Sequence, residues 1–402
     1  MRDFTVLFRY ELKKILKRRM VWMAFALCLV GIGVSATSSL FGTYYVEGKP
    51  VETHYEGFLI DKANSEALSG RAIDQALLQE TVDAYKKVPA DVAQYSNTPE
   101  YEQYARPYSE IFNKIRAWTG MQLEEIQGWT VDEDAFYKAR ANHLEDTWTT
   151  YALTDIEKDY WRAREAQIEQ PLVYSYHEGY IQIMKGIIVV GVCVLLFIAI
   201  SLSGVFASEH QQRTDQLVLT CAKGKKSVYW AKILAGEVVA IGATLLMAAF
   251  HMALCLGVYG SDGFDAPLQL FYAESSMPIT MGQTCLIILM MTLVTAILAA
   301  AFVMMLSELF RSSTAALAVC AGLVIMGQIQ LGAGDIRILS QVWNWMPMTY
   351  LKLWNIIDCL LLPIAGHCLT AWQILPVIYL AVAGLFVLIG KRQYKHYQVS
   401  GR

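Results

Sequence analysis

Few residues of this 402-residue chain have the types and spacing that catalysis or metal binding needs. The stretch GKKS at 224–227 comes nearest to a phosphate-binding loop, but it lacks the first glycine of that motif and misplaces the lysine. His143 stands near Glu145 and Asp146 without a spacing that puts metal ligands on one helix face. The sequence therefore predicts no nucleotide site, no metal site and no enzymatic activity in this chain. No nucleic-acid partner is expected either.

Two ionisable residues, Glu237 and His251, fall within an apolar run at 233–260. An ionisable group inside a membrane marks a functional site by default, so both are candidates for a transport path. Each also has a structural interpretation. Glu237 lies about one turn into the run and can reach the lipid headgroups, and His251 can form a hydrogen bond to a neighbouring helix.

A third feature is the short polar segment FASEHQQRTDQLVLTCAKGKKSVYWAK at 206–232, which separates two long apolar runs. It contains five Lys or Arg residues and two acids. Residues 208–220 can form a helix held just below a membrane, with a few apolar side chains available for docking to a partner. The alternative is a basic loop that settles on anionic lipid. The charge pattern alone does not separate the two interpretations.

The elements that must position these residues are membrane spans. The chain is 55% hydrophobic and 17% charged, whereas a soluble domain carries about 25% charged residues. Its apolar residues form six long runs, each near the ~20 residues that cross ~30 Å of hydrocarbon. The predicted spans are 20–42, 183–207, 233–260, 281–306, 314–331 and 374–390. The predicted fold class is therefore all-α, a polytopic membrane protein with six transmembrane helices.

The distribution of Lys and Arg predicts the orientation of these spans. Seven of these residues lie in residues 1–19 and five in the 208–232 loop, whereas the 261–280 loop has none. Both termini, including the tail at 391–402, are therefore predicted to be cytoplasmic. The segment 43–182 then lies outside, and it is strongly acidic, with 25 acids and 13 bases.

The predicted extracellular domain is expected to be helical, because period-2 patterns typical of strands are scarce in it. One long helix is predicted over 64–88. Thr98, which precedes a proline, predicts a helix N-cap. Capping boxes are predicted where Thr130 and Thr154 are each followed three residues later by a glutamate.

The cysteines give a prediction about the compartment. All eight lie outside the predicted extracellular domain, which therefore uses no disulfides. An exported domain without disulfides suits a bacterial plasma-membrane protein. Cys359 and Cys368, in the last outer loop, either pair with each other or stay as free thiols.

The 206–232 segment resembles the first cytoplasmic loop of ABC-2-type transporter permeases. The matching residues are Glu209, Thr214, Leu217, Leu219 and Lys232. The departures from the family pattern are Arg213 in place of glycine, Ala222 in place of proline and Lys225 in place of arginine.

The surrounding layout is similar to the same family. The N-terminal segment 1–19 is amphipathic and basic, and it resembles the family's interfacial elbow helix. The segment 332–373 is too broken for a span and too apolar for a free loop, and it is similar to the re-entrant helices that precede the last span. Its residues Trp343, Trp345 and Trp354 suit a membrane interface. The resemblance covers the membrane part and leaves the extracellular domain unassigned.

The resemblance implies that the chain is the membrane half of an ATP-driven exporter. A separate ATPase chain, which binds ATP and Mg²⁺, would dock under residues 208–226, and a second permease subunit would complete a homodimer or heterodimer. No cofactor is expected in this chain itself. The implied ATPase-coupling residues are Glu209, Thr214, Leu217, Leu219 and Lys225. The implied membrane-interface anchors are Arg18, Arg19, Lys232, Trp343, Trp345 and Trp354.

Three classes of function remain open from the sequence. The favoured class is an exporter permease, whose substrate is a cationic antimicrobial peptide or another amphipathic or hydrophobic compound. The second is a membrane receptor that senses a surface ligand without transport. The third, an intramembrane enzyme, would need facing acids or a nucleophile within the spans, and His251 stands isolated there.

Overall fold

The computed structural model describes residues 2–46, 49–90, 94–214, 224–329, 337–364 and 367–396. Most of this part of the chain is helical, which confirms the all-α fold class. The helices are α1 (Arg2–Leu16), α2 (Arg19–Thr37), α3 (His54–Leu68), α4 (Gln75–Tyr85), α5 (Ser109–Thr119), α6 (Leu123–Gly128), α7 (Glu133–Thr150), α8 (Asp155–Glu165), α9 (Glu178–Leu202), α10 (Ala207–Gln211), α11 (Tyr229–Tyr259), α12 (Met281–Phe310), α13 (Ser313–Met326), α14 (Arg337–Asn344), α15 (Pro347–Tyr350), α16 (Leu353–Ile356) and α17 (Ala371–His396). Two antiparallel hairpins are formed by β1 (Thr43–Val46) with β2 (Lys49–Thr53) and by β3 (Leu361–Ile364) with β4 (His367–Thr370).

Five helices are long and apolar enough to cross a membrane, namely α2, α9, α11, α12 and α17. The prediction of six full-length spans is therefore corrected for the described residues. The predicted span 314–331 instead contains α13, which has 14 residues. At 1.5 Å per residue α13 is about 21 Å long, short of the ~30 Å of a hydrocarbon core.

Local sequence signals fix the boundary between α12 and α13. A capping box between Thr280 and Gln283 starts α12, with the Gln283 amide 3.2 Å from the Thr280 hydroxyl. Arg311 takes a left-handed conformation, with φ of 52°, and ends α12. The hydroxyl of Ser312 then accepts a hydrogen bond from the Ala315 amide and caps α13.

The bundle is built around α9, which packs against α2, α11 and α12, while α12 packs against α17. Small residues allow the closest approaches. A Cβ atom on Gly186 of α9 would meet the ring of His251 of α11 at 2.3 Å, and one on Gly236 of α11 would meet the sulfur of Met304 of α12 at 2.4 Å. These contacts explain why glycine stands at these two positions in otherwise bulky apolar helices.

Residues 43–177 form a polar domain at the end of the bundle where α9 begins and α11 ends. Its core combines apolar and aromatic side chains of α4, α5 and α7. The predicted helix over 64–88 is two helices, α3 and α4. They are separated because Gly70 has a φ of +86° and the next residues pair with the 172–174 segment through an Ala72–Val173 bridge.

The helix caps of the polar domain test three sequence predictions. The Thr98 hydroxyl accepts a hydrogen bond from the Tyr101 amide at 3.3 Å, and Thr154 forms its predicted capping box with Glu157, so both caps are confirmed. The box predicted at Thr130 is wrong. Asp132 caps α7 instead, and the Glu133 carboxylate accepts a hydrogen bond from the α4 backbone.

The polar domain packs against two segments of the bundle at this end. They are the loop between α11 and α12 and the segment that follows α13. The buried guanidinium of Arg140 pairs with Glu165 and donates to the carbonyl of Ser275, at 3.0 Å, in the loop between α11 and α12. Glu157 forms an ion pair with Arg337 of α14. Because these contacts join different parts of the chain, the domain and the bundle form one packed body.

The segment that follows α13 is broken, as the sequence predicts for 332–373, although residues 330–336 lie outside the described part. Three short helices, α14 to α16, precede the β3–β4 hairpin. Cys359 and Cys368 are free thiols in this structure. The Trp161 indole of α8 donates to the Cys359 carbonyl at 2.8 Å, which ties this segment to the polar domain as well.

Candidate functional site

Four charged residues meet at the end of the bundle opposite the polar domain. They are Glu11 and Lys14 of α1, Glu209 of α10 and Lys232 of α11, and we call them the charge junction. Since α10 follows α9 directly, the junction ties the beginning of the 208–232 segment to its end. It also ties both to the N-terminal helix.

Lys232 is the centre of the charge junction, and its side chain is fully buried. Its Nζ donates to Glu209 Oε1 at 2.8 Å, to Glu11 Oε2 at 3.2 Å and to the Val205 carbonyl at 3.0 Å. These three acceptors satisfy all three donors of an ammonium group. A buried charge of this kind is tolerated because it is fully paired, and removal of one partner leaves an uncompensated charge.

Lys14 completes the charge junction from its more exposed side. Its Nζ lies 2.6 Å from Glu209 Oε1 and 3.1 Å from Glu11 Oε2. Burial opposes the charge on Lys14, but the hydrogen bonds and negative charges of Glu209 and Glu11 outweigh this effect and raise its pKa. Two lysines and two glutamates therefore neutralise each other, and each carboxylate contacts both ammonium groups.

A second set of contacts holds the α9–α10 corner to the end of α12. The hydroxyl of Ser307 accepts hydrogen bonds from the amides of Phe206 and Ala207, at 3.1 and 3.0 Å, and donates to the Ser203 carbonyl at 2.6 Å. Nearby, Nε2 of His210 lies 3.2 Å from Oε2 of the fully buried Glu308. The start of the 208–232 segment is therefore fixed to α12 as well as to α1 and α11.

The two predicted anchors at the α1–α2 corner differ in position. Arg18 turns inward, and its guanidinium donates to the Gly204 carbonyl of the α9–α10 corner at 3.2 Å. Burial lowers the pKa of Arg18. Arg19 is exposed, as an interfacial anchor would be. Lipid contact by either residue stays a prediction.

The structure brings together only part of the predicted ATPase-coupling set. Glu209 lies in the charge junction, and the Thr214 amide donates to the Glu209 carbonyl at 3.0 Å. Leu217 and Leu219 lie outside the described residues. The backbone of Lys225 belongs to the short helical turn Gly224–Val228, and its side chain also lies outside the described part. The coupling role of all five residues stays a prediction.

The prediction that Lys232 is a membrane-interface anchor is wrong for this structure, because its ammonium group is enclosed by Glu11 and Glu209. The three predicted tryptophan anchors all lie at the domain end of the bundle. Trp343 donates to the Ile329 carbonyl at 3.3 Å, Trp345 packs against the core, and Trp354 is 42% exposed. Of the three, Trp354 has the exposure that contact with a membrane interface requires.

Glu237 and His251 do not form one site. They are separated along α11 by about 21 Å, at 1.5 Å per residue. His251 Nε2 lies 3.3 Å from the Ile183 carbonyl of α9, which supports the structural interpretation of this residue. Glu237 Oε2 is buried and has no hydrogen-bond partner in the described part of the chain. Of these two residues, only Glu237 therefore has a buried polar atom without a hydrogen-bond partner in the described part of the chain.

In the described residues, five helices long and apolar enough to cross a membrane pack together, which is consistent with a polytopic membrane protein. A family model described as ABC-2 family transporter protein matches residues 5–333, which include most of α1 and every residue of the charge junction. The chain therefore belongs to the ABC-2 transporter family, whose permeases are membrane components of ABC transporters that hydrolyse ATP in partner subunits. No curated protein and no solved structure matches the chain.

Sequence reasoning missed Glu11, although a signal for it exists. The face of α1 that carries Leu7 and the buried Ile15 also carries Glu11, at helical spacing of four residues. An acid on the apolar face of a basic helix needs a buried cation as a partner. Ser307 and the His210–Glu308 pair have no comparable signal, because their contacts depend on how α12 meets the α9–α10 corner.

Proposed function

We propose that this chain is the permease half of an ATP-driven exporter and that residues 208–226 transmit motion from a separate ATPase chain to the helix bundle. The observation that carries the proposal is the charge junction, in which Glu209 contacts Lys14 of α1 and Lys232 of α11 at 2.6 and 2.8 Å. A buried, fully paired group where the 208–226 segment joins the bundle suits the transmission of force.

The geometry supports a rigid transmission rather than a flexible one. Displacement of α10 pulls directly on α9, to which it is joined, and on α1 and α11 through the charge junction. The Ser307 hydrogen bonds add α12 to the same unit. Closure of an ATPase pair below the membrane would therefore move several spans together, as in rigid-body alternation between two states.

The orientation in this proposal places the charge junction on the cytoplasmic side and the polar domain outside. It is supported by the excess of Lys and Arg in residues 1–19 and in the 208–232 segment. The partner ATPase would bind ATP and Mg²⁺, and a second permease subunit would complete the substrate path. The tail at 391–402 would share the cytoplasmic face.

The substrate in this proposal is an amphipathic or hydrophobic compound, with cationic antimicrobial peptides as the favoured class. The support is the acidic polar domain, which carries 24 acids against 13 bases and is docked directly over the ends of α9 and α11. Such a surface attracts cationic molecules within a Debye length of about 8 Å.

The test is purification of the chain in mild detergent from its native membrane, followed by measurement of vanadate-sensitive ATPase activity in the eluate. We expect a co-purifying ATPase chain whose activity falls by about tenfold or more with Glu209→Gln, because this change unbalances the charge junction. Glu124→Gln, at an exposed position of α6, serves as the matched control and should leave the activity unchanged.

Two results would contradict the proposal. Unchanged ATPase activity and transport in the Glu209→Gln variant would remove the coupling role of the charge junction. A clean preparation without any nucleotide-hydrolysing partner would instead favour a membrane receptor, with the 208–232 segment reduced to a basic lipid anchor.

A further inference from the structure

A cleft of about 770 Å³ separates the polar domain from the loop that joins α11 to α12. One wall is the extended segment 171–175, which leads from α8 into α9. The other wall comes from residues 263–267 and 278–280. The cleft lies far from the charge junction, at the opposite end of the bundle, so the proposed ATPase coupling does not involve it.

The 171–175 segment is extended and is paired on one side through an isolated antiparallel bridge. The Ile73 amide donates to the Leu172 carbonyl and the Tyr174 amide donates to the Arg71 carbonyl, both at 2.8 Å. These bonds flank the antiparallel bridge between Ala72 and Val173. Ala72 and Val173 therefore form a non-hydrogen-bonded antiparallel pair. In such a pair the N–H and C=O of Val173 point away from Ala72, toward the other edge of the segment.

That second edge is unpaired in the described part of the chain. The amide and carbonyl of Val173 and the amide of Ser175 have no hydrogen-bond partner there. The side chains alternate as in a strand, with Leu172 and Tyr174 buried and Val173 about half exposed. An edge of unpaired backbone groups is a template for pairing with another extended chain.

The opposite wall leaves room for such a chain. Gly263 presses against the other wall at one end of the cleft, where a Cβ atom would come within 2.4 Å of the Tyr176 carbonyl. The next residue, Phe264, lines the cleft and is 45% exposed, so its apolar ring is available to a bound chain. The cleft is therefore closed at Gly263 and has an apolar side that a bound side chain can cover.

The charge of the cleft defines the kind of chain that fits it. Two exposed acids, Glu169 and Asp265, line it, whereas none of its lining residues is a lysine, arginine or histidine. The surrounding polar domain is acidic as well. A bound peptide with basic side chains would therefore meet complementary charge, and one with acidic side chains would be repelled.

We propose that this cleft binds an extended cationic peptide segment, which adds as a strand to the unpaired edge at 171–175. Main-chain hydrogen bonds to Val173 hold the peptide, Phe264 covers an apolar side chain, and Glu169 and Asp265 select basic ones. This proposal deepens the function proposed above and rests on its favoured substrate class, cationic peptides, but peptide capture at this cleft requires neither an ATPase partner nor transport.

The test uses the full chain in nanodiscs of phosphatidylcholine, without any ATPase, and a fluorescein-labelled eight-residue peptide of alternating lysine and valine. Fluorescence anisotropy gives its dissociation constant. The matched control peptide has the same sequence and charge but carries N-methyl groups on its internal amides. We expect it to bind at least tenfold more weakly, because each lost main-chain hydrogen bond contributes about a factor of ten.

Variants of the protein, in place of variants of the peptide, test the same main-chain hydrogen bonds. Val173→Pro removes the N–H that the proposal uses, and proline is tolerated there because this N–H bonds to nothing else in the described chain. Val173→Ala keeps the N–H and is the control. We expect Val173→Pro to weaken binding about tenfold relative to Val173→Ala, at equal thermal midpoints. The pair Glu169→Gln and Asp265→Asn should weaken it about fivefold at low salt.

Three outcomes would overturn the proposal. The first is equal binding of the two peptides to the unmodified chain, a result that does not depend on the folding of any variant. The second is equal binding by Val173→Pro and Val173→Ala. The third is a loss of binding in the charge variants without any effect of N-methylation, which would mean electrostatic attraction alone. Since no ATPase is present, these outcomes are independent of the Glu209 experiment.

Discussion

Replacement of Lys232 by methionine is the sharpest perturbation of the charge junction. Methionine keeps most of the length and the apolar stem of lysine, so the main change is the loss of the ammonium group. That group is fully buried and makes charge-assisted hydrogen bonds to Glu209 at 2.8 Å and Glu11 at 3.2 Å. Each such bond contributes about 1.5–3 kcal/mol. After the change, two carboxylates share the single ammonium of Lys14.

The expected cost of Lys232→Met is about 3–5 kcal/mol in the free energy of unfolding, as is typical when one partner of a buried ion pair is removed. The control is Lys226→Met, at an exposed position six residues earlier, which should cost less than about 0.5 kcal/mol. The measurement is reversible unfolding in mixed micelles, followed by circular dichroism.

A double variant separates charge pairing from simple loss of packing. Lys232→Met leaves the junction with a net negative charge and Glu209→Gln leaves it with a net positive one, whereas the double variant is neutral. The double variant should therefore be more stable than the sum of the single costs predicts, by about 1–3 kcal/mol. Costs that simply add, or a Lys232→Met cost equal to that of Lys226→Met, would refute the reasoning.

Two further predictions concern other contacts of the fold. Gly186→Ala should lower the thermal midpoint, at a cost of about 1–3 kcal/mol in stability, because the new Cβ would meet the His251 ring at 2.3 Å. Gly242→Ala, which places a Cβ in open space on α11, is the control and should leave the midpoint unchanged. A larger loss for Gly242→Ala than for Gly186→Ala would contradict this packing. For Glu157, burial opposes the charge but Arg337 and the α8 cap outweigh it and lower its pKa. The stabilisation is therefore complete above the unfolded pKa of about 4.3 and lost as pH falls through the lower folded value, so the stability gap between the unmodified chain and Arg337→Gln should close below about pH 4. A gap that is constant with pH would exclude this ion pair as its source.

The membrane architecture was predictable because length and hydropathy determine which helices can span. The exception, α13, shows the limit of that reasoning. Residues 314–331 are apolar throughout most of their length, so composition alone gives a full span, but the helix ends at Met326. Where an apolar helix stops depends on turn geometry and on neighbouring segments, and hydropathy does not report either one.

The candidate site was half predictable. The resemblance pointed to Glu209 and Lys232 through their positions in the 206–232 segment, but it implied that Lys232 is a membrane-interface anchor. A local sequence pattern cannot show that two carboxylates, one of them 221 residues away on α1, enclose the ammonium. Partners so distant in sequence become neighbours only through packing of the bundle.

The two ends of the molecule are joined by one continuous element. α11 runs from Tyr229 to Tyr259 without a proline, about 45 Å at 1.5 Å per residue. Near its start, Lys232 is fixed in the charge junction, and at its end the Tyr259 carbonyl accepts a hydrogen bond from Tyr176 of the polar domain at 2.6 Å. Because an unbroken helix transmits displacement along its axis, motion at the junction would reach the domain that carries the cleft. We therefore infer that the polar domain moves with the spans rather than hanging freely above them.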